Sequence, residues 1–317
     1  MKEVLNEKSN IFADIFSCDT RKFESSDGEI FSRPFVYCTD ITELIDRLSL
    51  IRGWHITETE LLCGFDDGQK MLKQTLTVTY QGEEDPDPDI KKRTLRSEGI
   101  TGGKKFKFSG VNKLIVIAAA PRVPETYENC SVFINATGIN STVFNFAGDL
   151  KIINKCLGLM GHSSTYPCCY CEGIIGEWEI NSCKRTIENI ERNAESLKRS
   201  GGERNMAKLY YSCAEKPLLQ GSECHKISGE TSILLLCPPP MLHIKLGLGN
   251  GILSALFDHI LELESLLTSK LGIVRADYHG KQYIGKDISK LLRNLDWFKL
   301  NLPDEFHTYW NVLNAFK

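Results

Sequence analysis

Apolar and polar positions change period several times along the chain, and each change marks an element. TDITELIDRLSLIRG places Ile41, Leu44, Ile45, Leu48 and Ile51 at helical spacing behind Asp40, which predicts a helix over about residues 40–52. Leu61 to Phe65 is a short apolar run ending in Asp66-Asp67-Gly68. Met71 to Tyr80 then alternates, with Leu72, Leu76 and Val78 separated by Lys, Gln and Thr. The two runs predict a β-hairpin with carboxylates at its turn. Lys113 to Ala119 (KLIVIAA) is continuously apolar, as in a strand covered on both faces, and a short helix is expected after Pro124. A further strand is expected from Thr142 to Phe146. It ends at Ala147-Gly148-Asp149, after which KIINKCLGLM has helical spacing, so Asp149 falls at a strand-to-helix junction.

The stretch before about Arg33 is polar without a sustained period, which predicts a polar N-terminal segment over residues 1–35. Beyond about residue 160 come a Cys-rich turn around Pro167, a charged helix near Cys183 to Lys198 and a Gly-Gly break at 201. A loop ends in Pro238-Pro239-Pro240, and the pattern is mostly helical from Met241 onward. The expected fold class is α/β in an α+β arrangement: a mixed sheet with helical cover over 36–160, then a mainly helical region over 161–317. No internal repeat interrupts this reading.

Composition narrows the possibilities only a little. A chain of 317 residues with 42% hydrophobic content can bury a sizeable core. The formal charge of −3 and pI near 6.2 give no overall basic field, so any nucleic-acid binding must come from a local surface. Such a surface is offered by Lys91, Lys92, Arg93, Arg96, Lys104, Lys105 and Lys107, which follow an acidic, proline-bearing stretch from Gly82 to Asp89 and suggest an exposed loop with two oppositely charged arms. MKEVLNEKSN lacks the apolar core of a signal peptide and no segment reaches membrane-spanning length, so the 12 cysteines are expected to be reduced and intracellular. Glycosylation-type triplets at Asn129, Asn135 and Asn140 are then chance matches.

Three groups of residues carry candidate chemistry. Two-metal phosphoryl transfer needs carboxylates at the ends of adjacent strands, where two divalent cations can clamp the attacking and leaving oxygens. Asp66 or Asp67, followed by a hairpin, and Asp149, between a strand and a helix, follow the order of an RNase H-like core. Asp-Asp-Gly also suits a solvated turn, and Asp149 also suits a helix N-cap. Cys168 and Cys171 form a Cys-x-x-Cys pair in a proline-preceded turn, half of a tetrahedral zinc site, with His162, Cys183, Cys213, Cys224, His225, Cys237 and His243 available as further ligands. Buried reduced thiols are the plain alternative. His243, with Lys245 and Asn250, could face a ligand or simply be packed. GLGNG at 247–251 follows no strand and is not a nucleotide loop, and Glu262 and Glu264 belong to an amphipathic surface pattern.

Four stretches occur in order: GFDDGQKMLKQTLTV, FAGDLKIINKCLGLMGHSSTYPCCYCEG, PPPMLHIKLGLGN and YHGKQYIGKDISKLLRNL. Together they resemble a metazoan, transposon-derived, transposase-like family, which is more distantly similar to the Transib transposases and the antibody-gene recombinase. The resemblance spans roughly residues 36–317, and its most specific piece runs from Asp149 through Cys171. It implies that Asp66 is the first acid of a DDE-type triad, with Asp67 a possible substitute, and that Asp149 is the second; both would hold Mg²⁺ or Mn²⁺. Cys168 and Cys171 would match the cysteine pair of a Zn²⁺ site. The family's histidine pair and third acid, a Glu, would lie C-terminal to residue 317.

The resulting expectation is a transposase-derived nuclear protein with DNA as its partner, no membrane association and a possible homodimer. Its ancestral activity would be metal-dependent DNA nicking and strand transfer, lost here with the third acid. The alternative is a host-recruited DNA- or protein-interaction module without catalysis.

Overall fold

The computed structural model describes residues 12–52, 59–80, 114–176, 182–276 and 282–315. They form two compact units, the first ending at Pro238 and the second beginning at Pro239.

The first unit is built on a six-stranded mixed sheet of order β1-β2-β5-β4-β3-β6. Its strands are β1 (Phe16–Glu24), β2 (Ile30–Cys38), β3 (Thr59–Asp66), β4 (Met71–Tyr80), β5 (Leu114–Pro121) and β6 (Asn145–Ala147). All neighbours are antiparallel except β3 and β6, which run parallel. A parallel pair needs a crossover, here made by β4, β5 and helix α2 (Tyr127–Thr137). The mixed sheet, the 59–80 hairpin and the strand-to-helix junction at Asp149 are as the periodicity predicts. So is helix α1 (Ile41–Arg52), whose Glu43 N–H is capped by Asp40 Oδ1 at 2.9 Å.

One face of the sheet carries the core. Phe133 of α2 stands at its centre, with ring centroids 6.0 Å from Phe23 of β1, 4.8 Å from Phe35 of β2 and 5.8 Å from Phe65 of β3. The opposite face is less covered. Leu114 and Val116 of β5 are 43% and 44% exposed, so this strand is apolar throughout yet buried on one face only, contrary to the expectation from its unbroken pattern. An apolar run sets a lower limit on burial, because exposed apolar residues are common on protein surfaces.

The N-terminal segment also departs from expectation. Residues within 1–35 supply β1 and the first half of β2, paired in register from Phe16↔Cys38 to Glu24↔Ile30. Of the nine β1 residues only Phe23 is buried, since β1 is an edge strand, and this is why its sequence looks polar. The boundary expected near residue 160 is not where the packing divides. Cys169, Ile190, Cys213, Leu219, Ile233 and Leu236 belong to the same buried cluster as the sheet. Helices α3 (Leu150–Cys156), α4 (Ile187–Arg199) and α5 (Ile233–Leu236) therefore complete the first unit.

The second unit is helical, as expected: α6 (Met241–Phe257), α7 (Leu263–Leu271), α8 (Gly285–Arg293), α9 (Leu295–Leu300) and α10 (His307–Asn314) around Leu253, Leu256, Leu267, Leu291, Leu295 and Phe298. Gly249 lies where α6 meets α8. A Cβ there would stand 2.8 Å from Ile288 Cδ1, so this glycine of GLGNG serves helix packing.

Candidate active site and cysteine turn

The β3–β6 pairing decides where the acids fall. Leu62 pairs with Asn145, Cys63 with Phe146 and Gly64 with Ala147. Two residues further along each chain come Asp66 and Asp149, at the same end of two adjacent parallel strands. The approach is close: a Cβ on Gly64 would lie 2.5 Å from the Ala147 carbonyl oxygen, so only glycine fits this position without a shift.

Both acids already have partners. Asp66 is 58% exposed and its Oδ2 accepts from Lys73 Nζ at 2.9 Å, Lys73 being its register partner across the hairpin. Gly68 is also close to this carboxylate: a Cβ there would stand 3.0 Å from Oδ2. Asp149 is the N-cap of α3, its Oδ1 accepting the Ile152 N–H at 2.8 Å. Asp67, one residue past the strand, is exposed. Lys151, in the first turn of α3, is hydrogen-bonded to Glu125 Oε2 at 2.7 Å. That bond holds the Lys151 ammonium above the ordinary lysine range, and the charges of Asp149 and Asp67 add to it. Thus Asp67, Asp149, Glu125 and Lys151 share one electrostatic neighbourhood. Among the described residues no three His, Cys, Asp or Glu side chains come together to hold a metal ion, at these acids or elsewhere.

The cysteine turn is organised by a residue that sequence reasoning did not single out. Arg185 is 1% exposed. Its Nε donates to the carbonyls of Cys168 (2.9 Å) and Cys171 (3.0 Å), and Nη2 to those of Tyr211 (2.7 Å) and Tyr166 (3.4 Å). Its Nη1 meets Cys213 Sγ at 3.5 Å. One guanidinium thus satisfies carbonyls on both sides of the Cys-x-x-Cys turn, a fixed fork that lysine could not reproduce. Only its place two residues after Cys183, in a charged segment, hints at this from sequence.

Within the turn the Cys168 and Cys171 thiols are in hydrogen-bond contact, and the Tyr170 N–H donates to Cys168 Sγ at 3.4 Å. Burial pushes the Cys168 thiol up, while the backbone N–H groups of Tyr170 and Cys171 favour its thiolate. Two adjacent, half-buried sulfurs with N–H donors are a donor pair suited to Zn²⁺. Among the described residues no third His, Cys, Asp or Glu joins them as a metal-holding group. Cys213 is taken by Arg185; Cys169, between the pair, is buried and pushed up to about 12 by that burial. His225 is 3% exposed, with Nδ1 3.0 Å from the Ser222 N–H and Nε2 3.1 Å from Asn145 Oδ1. It is a fully partnered core histidine.

The remaining expectations fall variously. Lys91, Lys92, Arg93, Arg96, Lys104, Lys105 and Lys107 lie outside the described residues, as does the acidic stretch before them. The side chain of His243 is likewise outside them. Asn250 brackets Tyr283, accepting its N–H at 2.8 Å and donating to its carbonyl at 2.9 Å. Glu264 is ion-paired to Arg275, and Glu262 is exposed. Among the described residues no helix is long and apolar enough to cross a membrane. No family model matches the sequence, and no curated protein matches it.

Proposed function

We propose that this chain is a transposase-derived protein whose first unit is an RNase H-like core, with Asp66 and Asp149 as the first two acids of a DDE-type site acting on DNA in the nucleus. The observation that carries the reading is the parallel β3–β6 register, which sets the two carboxylates at one sheet end in the order hairpin, crossover helix, strand, helix. Carboxylate oxygens are hard donors and fit Mg²⁺ or Mn²⁺. When bound, such ions activate water or a 3′-hydroxyl and neutralise charge at the phosphate during in-line displacement. Asp66 and Asp149 would present their oxygens to the ions, with Asp149 kept in place by its cap to Ile152. Cys168 and Cys171 would give two ligands to a structural Zn²⁺. The arm from Lys91 to Lys107 would contact DNA phosphates.

The test is Mn²⁺ binding and Mn²⁺- or Mg²⁺-dependent nicking of plasmid DNA by the purified chain, beside Asp66→Asn and Asp149→Asn. Asparagine caps helices as well as aspartate does, so Asp149→Asn removes charge while keeping α3. The reading expects Mn²⁺ binding that both substitutions abolish, with nicking weak or absent because the described residues bring no third metal ligand to the two acids. Binding indifferent to both substitutions would rule it out.

A second reading is supported by the structural partners of both acids, Lys73 for Asp66 and the α3 backbone for Asp149: a host-recruited DNA- or protein-interaction module without catalysis. It expects no Mn²⁺ dependence. DNA affinity that falls steeply with salt would mark a DNA module, and indifference to DNA a protein-binding one.

A further inference from the structure

We propose that Lys73 is a resident counter-cation on Asp66, displaced by the divalent metal and then free to take a phosphate of the DNA, so that metal and phosphate bind cooperatively through one ammonium. The inference rests on the reading of Asp66 and Asp149 as a metal pair and adds a coupling device to it.

Lys73 is built into the site by the hairpin. The register pairs it with Asp66, and Nζ lies 2.9 Å from Oδ2. Its side chain is only 21% exposed, so the stem lies against the sheet and the ammonium stays near the strand end. Beside it on β5 stands Ala119, whose small side chain leaves that stem room. The carboxylate itself is accessible, and Gly68 presents no side chain beside Oδ2, so on that oxygen Lys73 is the cation a metal must compete with. Ammonium and divalent ion repel, so a metal that takes Oδ2 competes with Lys73 for that oxygen. An ammonium on a four-carbon stem can swing away while remaining close, where a DNA phosphate is the complementary anion. Lys151 does not duplicate this role, because its own charge is met by Glu125 at 2.7 Å.

Coupling of this kind is reciprocal: if phosphate occupies Lys73, metal binds Asp66 more tightly, and the reverse. The experiment is Mn²⁺ titration followed by electron paramagnetic resonance, with and without a short DNA duplex, on the unmodified chain, Lys73→Met, Lys73→Arg and Asp149→Asn. Without DNA, Lys73→Met should bind Mn²⁺ more tightly, on the order of fivefold or more. Duplex should raise Mn²⁺ affinity by a similar factor in the unmodified chain and in Lys73→Arg, and leave it unchanged in Lys73→Met. Lys73→Gln is the second neutral variant, should circular dichroism show that Lys73→Met does not fold. Mn²⁺ binding that depends on Asp149 but not on Lys73, or a duplex effect that persists in Lys73→Met, overturns this proposal and leaves the metal reading standing. Mn²⁺ binding absent from every protein, or unaffected by Asp149→Asn, removes both.

Discussion

Gly64 of β3 stands directly opposite Ala147 of β6, so close that a β-carbon at 64 would lie 2.5 Å from the Ala147 carbonyl oxygen. That oxygen is backbone and cannot swing aside, so an added methyl has to push the strands apart. Gly64→Ala should lower stability by about 1–3 kcal/mol, the usual cost of overpacking. It should also weaken Mn²⁺ binding at Asp66 and Asp149, two residues further along. Urea unfolding and Mn²⁺ titration check both. Unchanged stability would show that the strands have slack here and that the glycine does not set the approach of the acids.

The candidate site was legible to the extent that its parts are local. Asp66 and Asp149 could be found because each sits where a strand's period stops, and the helix behind Asp149 has a plain 3.6-residue pattern. The spacing of the strands was not legible, since it depends on one glycine meeting a carbonyl more than eighty residues away. β1 was missed for a related reason: an edge strand that buries only Phe23 carries little alternation. Arg185 and the asparagine brackets escaped because a side chain bonded to backbone carbonyls leaves no trace in the residues that supply them.

Asn129 shows how much such a bracket can hold. It is fully buried in α2, accepts the Glu24 N–H at 2.8 Å, and donates to the carbonyls of Glu24 (2.8 Å) and Pro124 (2.9 Å). It ties the end of β1 to the helix, and its burial is why the glycosylation triplet there has no accessible acceptor. Asn129→Ala removes three part-buried hydrogen bonds to backbone groups at once, a backbone group left unsatisfied costing about 1–3 kcal/mol. We expect a loss of at least about 3 kcal/mol by denaturant titration, whereas Asn135→Ala, on the exposed face of the same helix, should change little. Equal effects from the two would contradict the bracket.

Arg185 supports the cysteine turn from beneath. Arg185→Met keeps volume but leaves the carbonyls of Cys168, Cys171 and Tyr211 without their donor. A loss on the order of 3 kcal/mol or more is expected, with Cys168 and Cys171 reacting faster with a thiol reagent as the turn loosens. Arg185→Lys should not rescue either property, because a single ammonium cannot span carbonyls on both sides of the turn. Full rescue by lysine would mean that charge, and not the fork of donors, is what the turn requires.

His225 gives the fold a dependence on pH whose sign follows from its contacts. Burial holds its pKa below the ordinary histidine value of 6.5. The Ser222 N–H already points at Nδ1 from 3.0 Å, so a proton on that nitrogen would face another donor, and the neutral ring keeps its proton on Nε2 for Asn145 Oδ1. Above the unfolded pKa both states are neutral and the full stability is present. As pH falls from about 6.5 towards the lower folded pKa, the unfolded chain takes up a proton that the folded one resists, and stability drops by up to about 1.4 kcal/mol per pH unit. Urea unfolding at several pH values between 7.5 and 5.5, as a test range on the order of one unit either side of that pKa, should show this slope in the unmodified chain and a shallower one in His225→Gln, the other histidines contributing equally to both. Parallel slopes would mean that the ring titrates as freely folded as unfolded, and that its contacts with Ser222 and Asn145 do not discriminate between the two protonation states.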